Sequence, residues 1–413
     1  MPLLLAPAGS CESLEAGLQN GADAVYFGVG KLNMRSNATV NFTVDDLPEV
    51  AARCHARNAK AWLAINTIIF DSELEVVREL CRRAKEARID AVIASDPAVM
   101  RIARSMELPV HLSVQANIAN TETVRFYSQF ADVVVLAREL TLEQISHICR
   151  TIREEKICGP SGELIKVEIF IHGALCVAVS GKCGMSLAAC NSSANRGACF
   201  QNCRRSYTVR DTETGAEFNI DNRYVMSPRD LCTLEFFDRI LESGVSVLKI
   251  EGRGRSADYV AHVVRVYRAA LDQWMRGEPL RPGQLAKWAE ELASVFNRGF
   301  WKGGYYLGNK LGEWAACGDS QATVRKEFVG RIVNYYKKPE VAELLMTSGE
   351  LVPGDRILVT GDTTGAQELK VDEFLLDGVA VNPAKKGMDV TFLCPLRLRT
   401  NDKVYKLMER NRS

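Results

Sequence analysis

Five of the chain's 13 cysteines, Cys176, Cys183, Cys190, Cys199 and Cys203, fall in the stretch GALCVAVSGKCGMSLAACNSSANRGACFQNCRR. They follow directly on the apolar run Val167 to Ile171, which puts a thiol-rich loop at the end of a buried strand. Thiolates bind soft metals, and four of them hold a zinc ion or an iron–sulfur cluster. Between Cys176, Cys183, Cys199 and Cys203 lie six, 15 and three residues, with Cys190 inside the long gap. Structural zinc normally uses two close cysteine pairs, and only the last interval approaches that spacing. Long loops that can turn at Gly173, Gly181, Gly184 and Gly197 suit a cluster held in a pocket. An iron–sulfur site is therefore the first expectation, with zinc and a redox dithiol as alternatives. Five thiols for four positions leave one surplus, which spacing does not identify.

The other eight cysteines stand singly among apolar neighbours, where a thiol is a small buried hydrophobe. An odd cysteine count, and an opening MPLLLAPAG without a basic signal-peptide start, point to free thiols and a cytoplasmic setting. No stretch reaches the ~20 apolar residues that cross a bilayer, so no membrane partner is expected. Lys and Arg number 52 against 51 Asp and Glu, a net charge of +1, which offers no overall attraction for nucleic acid. Such binding would need local patches: Arg204, Arg205 and Arg210, or the segment Arg397 to Ser413 with six positive and two negative side chains.

The elements that must position this chemistry are eight short apolar runs: Leu3 to Ala6, Ala24 to Phe27, Ala61 to Ile65, Ala91 to Ala94, Val110 to Val114, Val133 to Leu136, Val167 to Ile171 and Val247 to Ile250. Amphipathic segments separate most of them, as from Ser10 to Asn20, Glu73 to Ala87 and Thr141 to Ile152. Alternating strand and helix predicts an α/β fold with a parallel sheet, and a count of eight predicts a TIM-like (β/α)8 barrel. Its active site would lie at the C-terminal strand ends, where Asn66, Ser95, Gln115, Asn117, Arg138, Glu139, His172, Glu251 and Arg253 fall. His172 is the acid/base candidate there, with Arg138 and Glu251 as further catalytic candidates. Residues 1–305 form the expected barrel, with a Cys-rich insert at 173–246 that holds a β segment from Ser206 to Val225 and a helix from Ser227 to Glu242. A linker at 306–327 leads to an all-β, barrel-like domain at 328–413, with turns at Pro353-Gly354-Asp355, Gly361-Asp362, Asp377-Gly378 and Lys386-Gly387.

The blocks LLLAPAGSCESLEAGLQNGADAVYFG, HLSVQANIAN, VVVLARELTLEQI, EIFIHGALCVAVSGKC, NRGACFQNCRR, SPRDLC and LKIEGRGRSADYVAHVVRVYRAAL run in order through Phe300 and resemble the collagenase-like peptidase family U32. The resemblance implies a four-cysteine iron–sulfur protein whose ligands fall on Cys176, Cys183, Cys199 and Cys203; the family pattern does not require a cysteine at Cys190. In layout the chain is similar to family members that hydroxylate the wobble uridine of tRNA to 5-hydroxyuridine with prephenate as hydroxyl donor. That reading implies a [4Fe-4S] cluster, prephenate as cosubstrate, the anticodon arm of tRNA as partner, and a partner protein of the same family. The alternatives are a collagenase-like peptidase and a hydroxylase of ribosomal RNA or of a quinone precursor. A dianionic cosubstrate calls for cations at the barrel mouth, for which Arg35, Arg138, Lys249 and Arg253 are candidates beside Gln115 and Asn117. No G-x-S-x-G elbow or H-E-x-x-H helix supports hydrolysis.

Overall fold

In the computed structural model, residues 1–36, 40–208, 210–216, 224, 226–302, 304–308, 313–315 and 318–410 are described. Each of the eight apolar runs is a strand: β1 (Leu3–Pro7), β2 (Ala24–Gly28), β3 (Lys60–Ile65), β4 (Ala91–Ala94), β5 (Val110–Leu112), β6 (Val133–Val135), β7 (Lys166–Gly173) and, after an extra β8 (Asp230–Cys232), β9 (Val247–Ile250). Neighbours pair in parallel from β1 to β7. The barrel closes because Lys249 of β9 stands beside both Phe170 of β7 and Leu5 of β1.

Local chemistry sets the crossovers. In α1 (Cys11–Gln19) the Ser10 side chain accepts the Ser13 N–H, Leu14 and Leu18 are buried, and the chain leaves at Gly21 with φ +91°. The helices α2 (Leu47–His55), α3 (Leu74–Glu86), α4 (Pro97–Ser105), α5 (Thr121–Tyr127) and α6 (Leu142–Glu154) follow their strands in turn. Thr141 and Gln144 form a capping box at the start of α6. Inside the barrel, Leu5, Tyr26, Trp62, Ile93, Val133 and Val247 build a core distinct from the one under the helices. That is the side-chain-filled interior of a (β/α)8 fold.

The insert carries a short α7 (Met185–Cys190), and it corrects one expectation: of the stretch read as a helix from Ser227 to Glu242 only α8 (Phe237–Glu242) is α-helical. The first part is β8, which pairs antiparallel with the end of β7 and parallel with β10 (Phe300–Lys302). Asp230-Leu231-Cys232 sits in no longer apolar run, so nothing in the local pattern marks it as a strand. The β segment expected from Ser206 to Val225 lies partly outside the described residues, and 211–216 carry a turn. Two long helices, α9 (Ala257–Met275) and α10 (Pro282–Ser294), complete the barrel wall. No helix among the described residues is long and apolar enough to cross a membrane.

From Val324, inside the stretch read as a linker, the chain forms an antiparallel sheet that includes β11 (Val324–Tyr336) and β12 (Val341–Met346). All four turns expected in it are present. Lys326 pairs with Asp258 at 2.6 Å, Lys403 with Glu12 at 2.9 Å and His262 with Glu368 at 2.9 Å, so the sheet is fastened to α1 and α9.

Two buried histidines set an acid limit. Burial holds both His111 and His172 at about 3, against an ordinary value of 6.5. Each is neutral when folded, so stability is fully present above 6.5 and is lost as pH falls toward 3, because the unfolded chain binds the protons. We expect these two histidines to add uptake of about two protons on unfolding, read between about pH 5 and 6.5, above the range in which the acidic Glu251 and Glu368 contribute. The check is the pH dependence of the urea midpoint: His172→Gln should remove close to half of the slope, and an unchanged slope would contradict the assignment.

Candidate active site

The C-terminal ends of the barrel strands and the cysteine insert enclose one cavity of about 160 Å³. Its walls carry Cys176, Cys183, Cys199 and Cys203 on the insert side, and Arg35, Arg138, Lys249, Glu251 and Arg253 on the barrel side. Cys190 does not line it; that thiol is exposed at the end of α7, with the Asn202 side-chain amide 3.7 Å from its sulfur. Burial, together with the neighbouring Cys176, Cys199 and Cys183 thiols, pushes the Cys203 thiol up against the pull of Arg204. Four thiols thus share one chamber. Among the described residues, no three His, Cys, Asp or Glu side chains converge tightly enough to share a single metal ion. Four thiolates are the donor set of a zinc ion and of an iron–sulfur cluster alike.

Backbone geometry keeps the thiol loops against the barrel. At Gly197, with φ +83°, a Cβ would stand 2.4 Å from the Asn33 carbonyl and from Ser36 Oγ. Ser36 Oγ donates to the Gly197 carbonyl at 3.2 Å, seating the Cys199 loop on residues 33–36. Gly173, with φ +105°, lets β7 pass the Glu251 carbonyl, which a Cβ would meet at 2.3 Å. We expect Gly197→Ala to cost about 2 kcal/mol or more and to lower metal content, since left-handed strain and a backbone clash add. An unchanged denaturation midpoint would contradict this. Arg204 stitches the loops together, donating to Ser227 Oγ at 3.1 Å and to the Pro228 carbonyl at 2.6 Å.

On the barrel side, Glu251 accepts from Arg35 at 2.7 Å and from the Tyr26 hydroxyl at 3.2 Å. Burial raises its carboxyl, but Arg35, Arg138 and Arg253 outweigh that and hold it at about 2. A carboxylate so acidic is a poor proton acceptor near neutrality, and its bonds to Arg35 and Tyr26 suit a charge that orients its neighbours. Arg253 donates to Asn33 Oδ1 at 3.0 Å. Arg138 donates to the Ala174 carbonyl at 2.8 Å and lies 3.8 Å over the Phe170 ring, while its Nε is buried without a hydrogen-bond partner.

Three further expectations are corrected. His172 does not face the cavity: β7 slips register against β9 between Phe170 and His172. That bulge interrupts the alternation that aims Phe170 inward, and the imidazole instead packs against Tyr259, Tyr267 and Phe300. Asn117 caps a turn with φ +54° and is absent from the cavity wall, whereas Gln115 lines it. Lys249 reaches the cavity floor but is bound to Glu168 at 2.7 Å, with side-chain exposures of 7% and 1%. Tyr26, Phe170 and Glu168 were not anticipated. The signal for Glu168 was a lone carboxylate in the apolar run VEIFI, matched by the lone lysine in VLKI.

A family model described as Peptidase family U32 matches residues 9–316. Over 407 residues, covering 98% of this chain and 98% of the relative, the chain is 47% identical to a protein named collagenase from Porphyromonas gingivalis. It is 38% identical over 410 residues, 98% of each, to an uncharacterized protease of Methanocaldococcus jannaschii. To a tRNA hydroxylation protein of Bacillus subtilis it is 32% identical over 350 residues, 83% of this chain and 80% of the relative. By name, these comparisons favour the peptidase alternative over the hydroxylase expectation.

Proposed function

The chain belongs to peptidase family U32, and we propose that it is an iron–sulfur enzyme that hydroxylates RNA, taking the wobble uridine of tRNA to 5-hydroxyuridine with prephenate as donor. The observation that carries this reading is the single cavity with four thiols on one wall and cations on the other. Cys176, Cys183, Cys199 and Cys203 would hold the cluster, which would supply electron-transfer chemistry when bound. Arg138, with an unpartnered buried Nε, is the guanidinium that gains most from an incoming carboxylate. Arg35, Arg253 and Lys249 add positive potential, and Glu251 with Tyr26 fixes the orientation of Arg35. Gln115 offers an amide to a polar substrate edge.

The collagenase reading has the printed names of more similar relatives in its favour. Hydrolysis by Cys176 would require a base beside it, and His172 is turned into an aromatic cluster on the far side of β7. The deciding experiment assays the anaerobically purified protein in parallel on undermodified tRNA with prephenate and on denatured collagen. Formation of 5-hydroxyuridine that depends on prephenate and on Arg138 supports the hydroxylase. Collagen cleavage that persists after removal of metal, with no change to the RNA, would replace it with the peptidase.

A further inference from the structure

The cysteine lobe carries formal charge of one sign only. From Gly173 to Arg210 the sequence contains Lys182, Arg196, Arg204, Arg205 and Arg210 and not one Asp or Glu, in a chain whose total charge is only +1. Two of these, Lys182 and Arg205, are exposed beside residues that line the cavity. Apolar side chains interleave with them. Phe200, between the wall residues Cys199 and Gln201, is 49% exposed. Phe70, on the loop after β3 that meets the insert at Asn195 and Arg196, is 56% exposed. Its ring carries the Arg196 guanidinium at 4.1 Å, and Glu73 holds that guanidinium at 2.5 Å, so the ring is braced before any ligand arrives.

We propose that this lip, free of acids from Gly173 to Arg210 and flanked by Asp71 and Glu73 on the Phe70 side, is the docking surface for an unpaired RNA segment, with Phe200 and Phe70 as platforms on which bases flanking the target stack. The inference rests on the RNA reading above and adds where on this chain the polymer is gripped. Single-stranded RNA is recognised by aromatic stacking of splayed bases, with cations along the phosphates, and an acid-free lobe avoids repelling the backbone. A neutral peptide has no need of a lobe stripped of carboxylates, so charge complementarity selects the polyanion. Lys182 and Arg205 serve the phosphates, and the cavity below receives the extruded base.

The test is fluorescence anisotropy with the full-length holoprotein and two labelled probes, an RNA hairpin with an unpaired uridine-containing loop and a fully paired RNA duplex, over a range of salt. The hairpin should bind more tightly than the duplex. Phe200→Ala and Phe70→Ala should each weaken the hairpin about tenfold and leave the melting temperature unchanged, the scale of one lost stacking contact. Lys182→Ala and Arg205→Ala should weaken both probes alike and lower the salt slope by about one each. If the hairpin binds and is hydroxylated but neither phenylalanine matters, the lip is not the docking surface and the RNA reading survives. If neither probe binds, both fail. If a collagen peptide displaces the hairpin, and its own binding is lost in Phe200→Ala, the lip belongs to a peptide substrate and the inference is overturned.

Discussion

Replacing Cys176, Cys183, Cys199 or Cys203 singly by alanine is expected to abolish the brown chromophore and the acid-labile sulfide of anaerobically purified protein, whereas Cys190→Ala keeps both. The wild type should carry about four iron and four sulfide. The asymmetry follows from placement: four sulfurs line one cavity, and the fifth projects from the end of α7 outside it. Removing one of four thiolates leaves an iron without its protein ligand in a chamber that has no carboxylate on the cysteine side to replace it. Metal and sulfide analysis with a visible spectrum decides the matter. Colourless protein with one zinc, or chromophore loss in Cys190→Ala equal to the others, would sink the four-cysteine assignment.

Lys249→Met should be the most destabilising single change on the barrel side, by about 3–5 kcal/mol near neutral pH, because it strands Glu168 in the barrel interior. Glu168 Oε2 already lacks a hydrogen-bond partner, and burial raises the Glu168 carboxyl, opposed only by Lys249. Without the ammonium that carboxyl would move further above its unfolded value. A raised folded value means stability that is present below the unfolded value and lost as pH rises. The variant should therefore lose more stability at about pH 8 than at about pH 5. The double variant Glu168→Leu with Lys249→Met removes both charges and should recover most of the loss. Urea denaturation of the three variants at the two pH values provides the check: equal losses at both, or a double variant no better than the single, would show that the ion pair is not what the interior depends on.

How far the sequence carried depends on the kind of question asked of it. All eight barrel strands were legible because each is a short, largely apolar run closed by Gly, Pro or a polar residue, and a strand buried on both faces writes itself that way. Ser10 and Thr141 marked helix starts because an N-cap acts on backbone groups two or three residues away. The four turns of the C-terminal sheet were legible for the same local reason. The three-residue β8 was not, since its pairing with β7 and β10 is a matter of distant neighbours.

The site divides along the same line. Residue types and their place at strand ends already put thiols and arginines at one mouth, and Arg35, Gln115, Arg138, Glu251 and Arg253 do meet there. What each side chain does was decided by tertiary structure. The bulge in β7 turned His172 away, the Glu168 partner claimed Lys249, the 33–36 loop brought Arg35 to Glu251, and the fold of the insert left Cys190 outside. Composition and local pattern determine that this chain builds a parallel barrel with a thiol-rich lobe over its C-terminal end. Only the packed structure selects which groups face one another, because side-chain direction there is set by strand register and by contacts between segments as much as 225 residues apart, as for Tyr26 and Glu251.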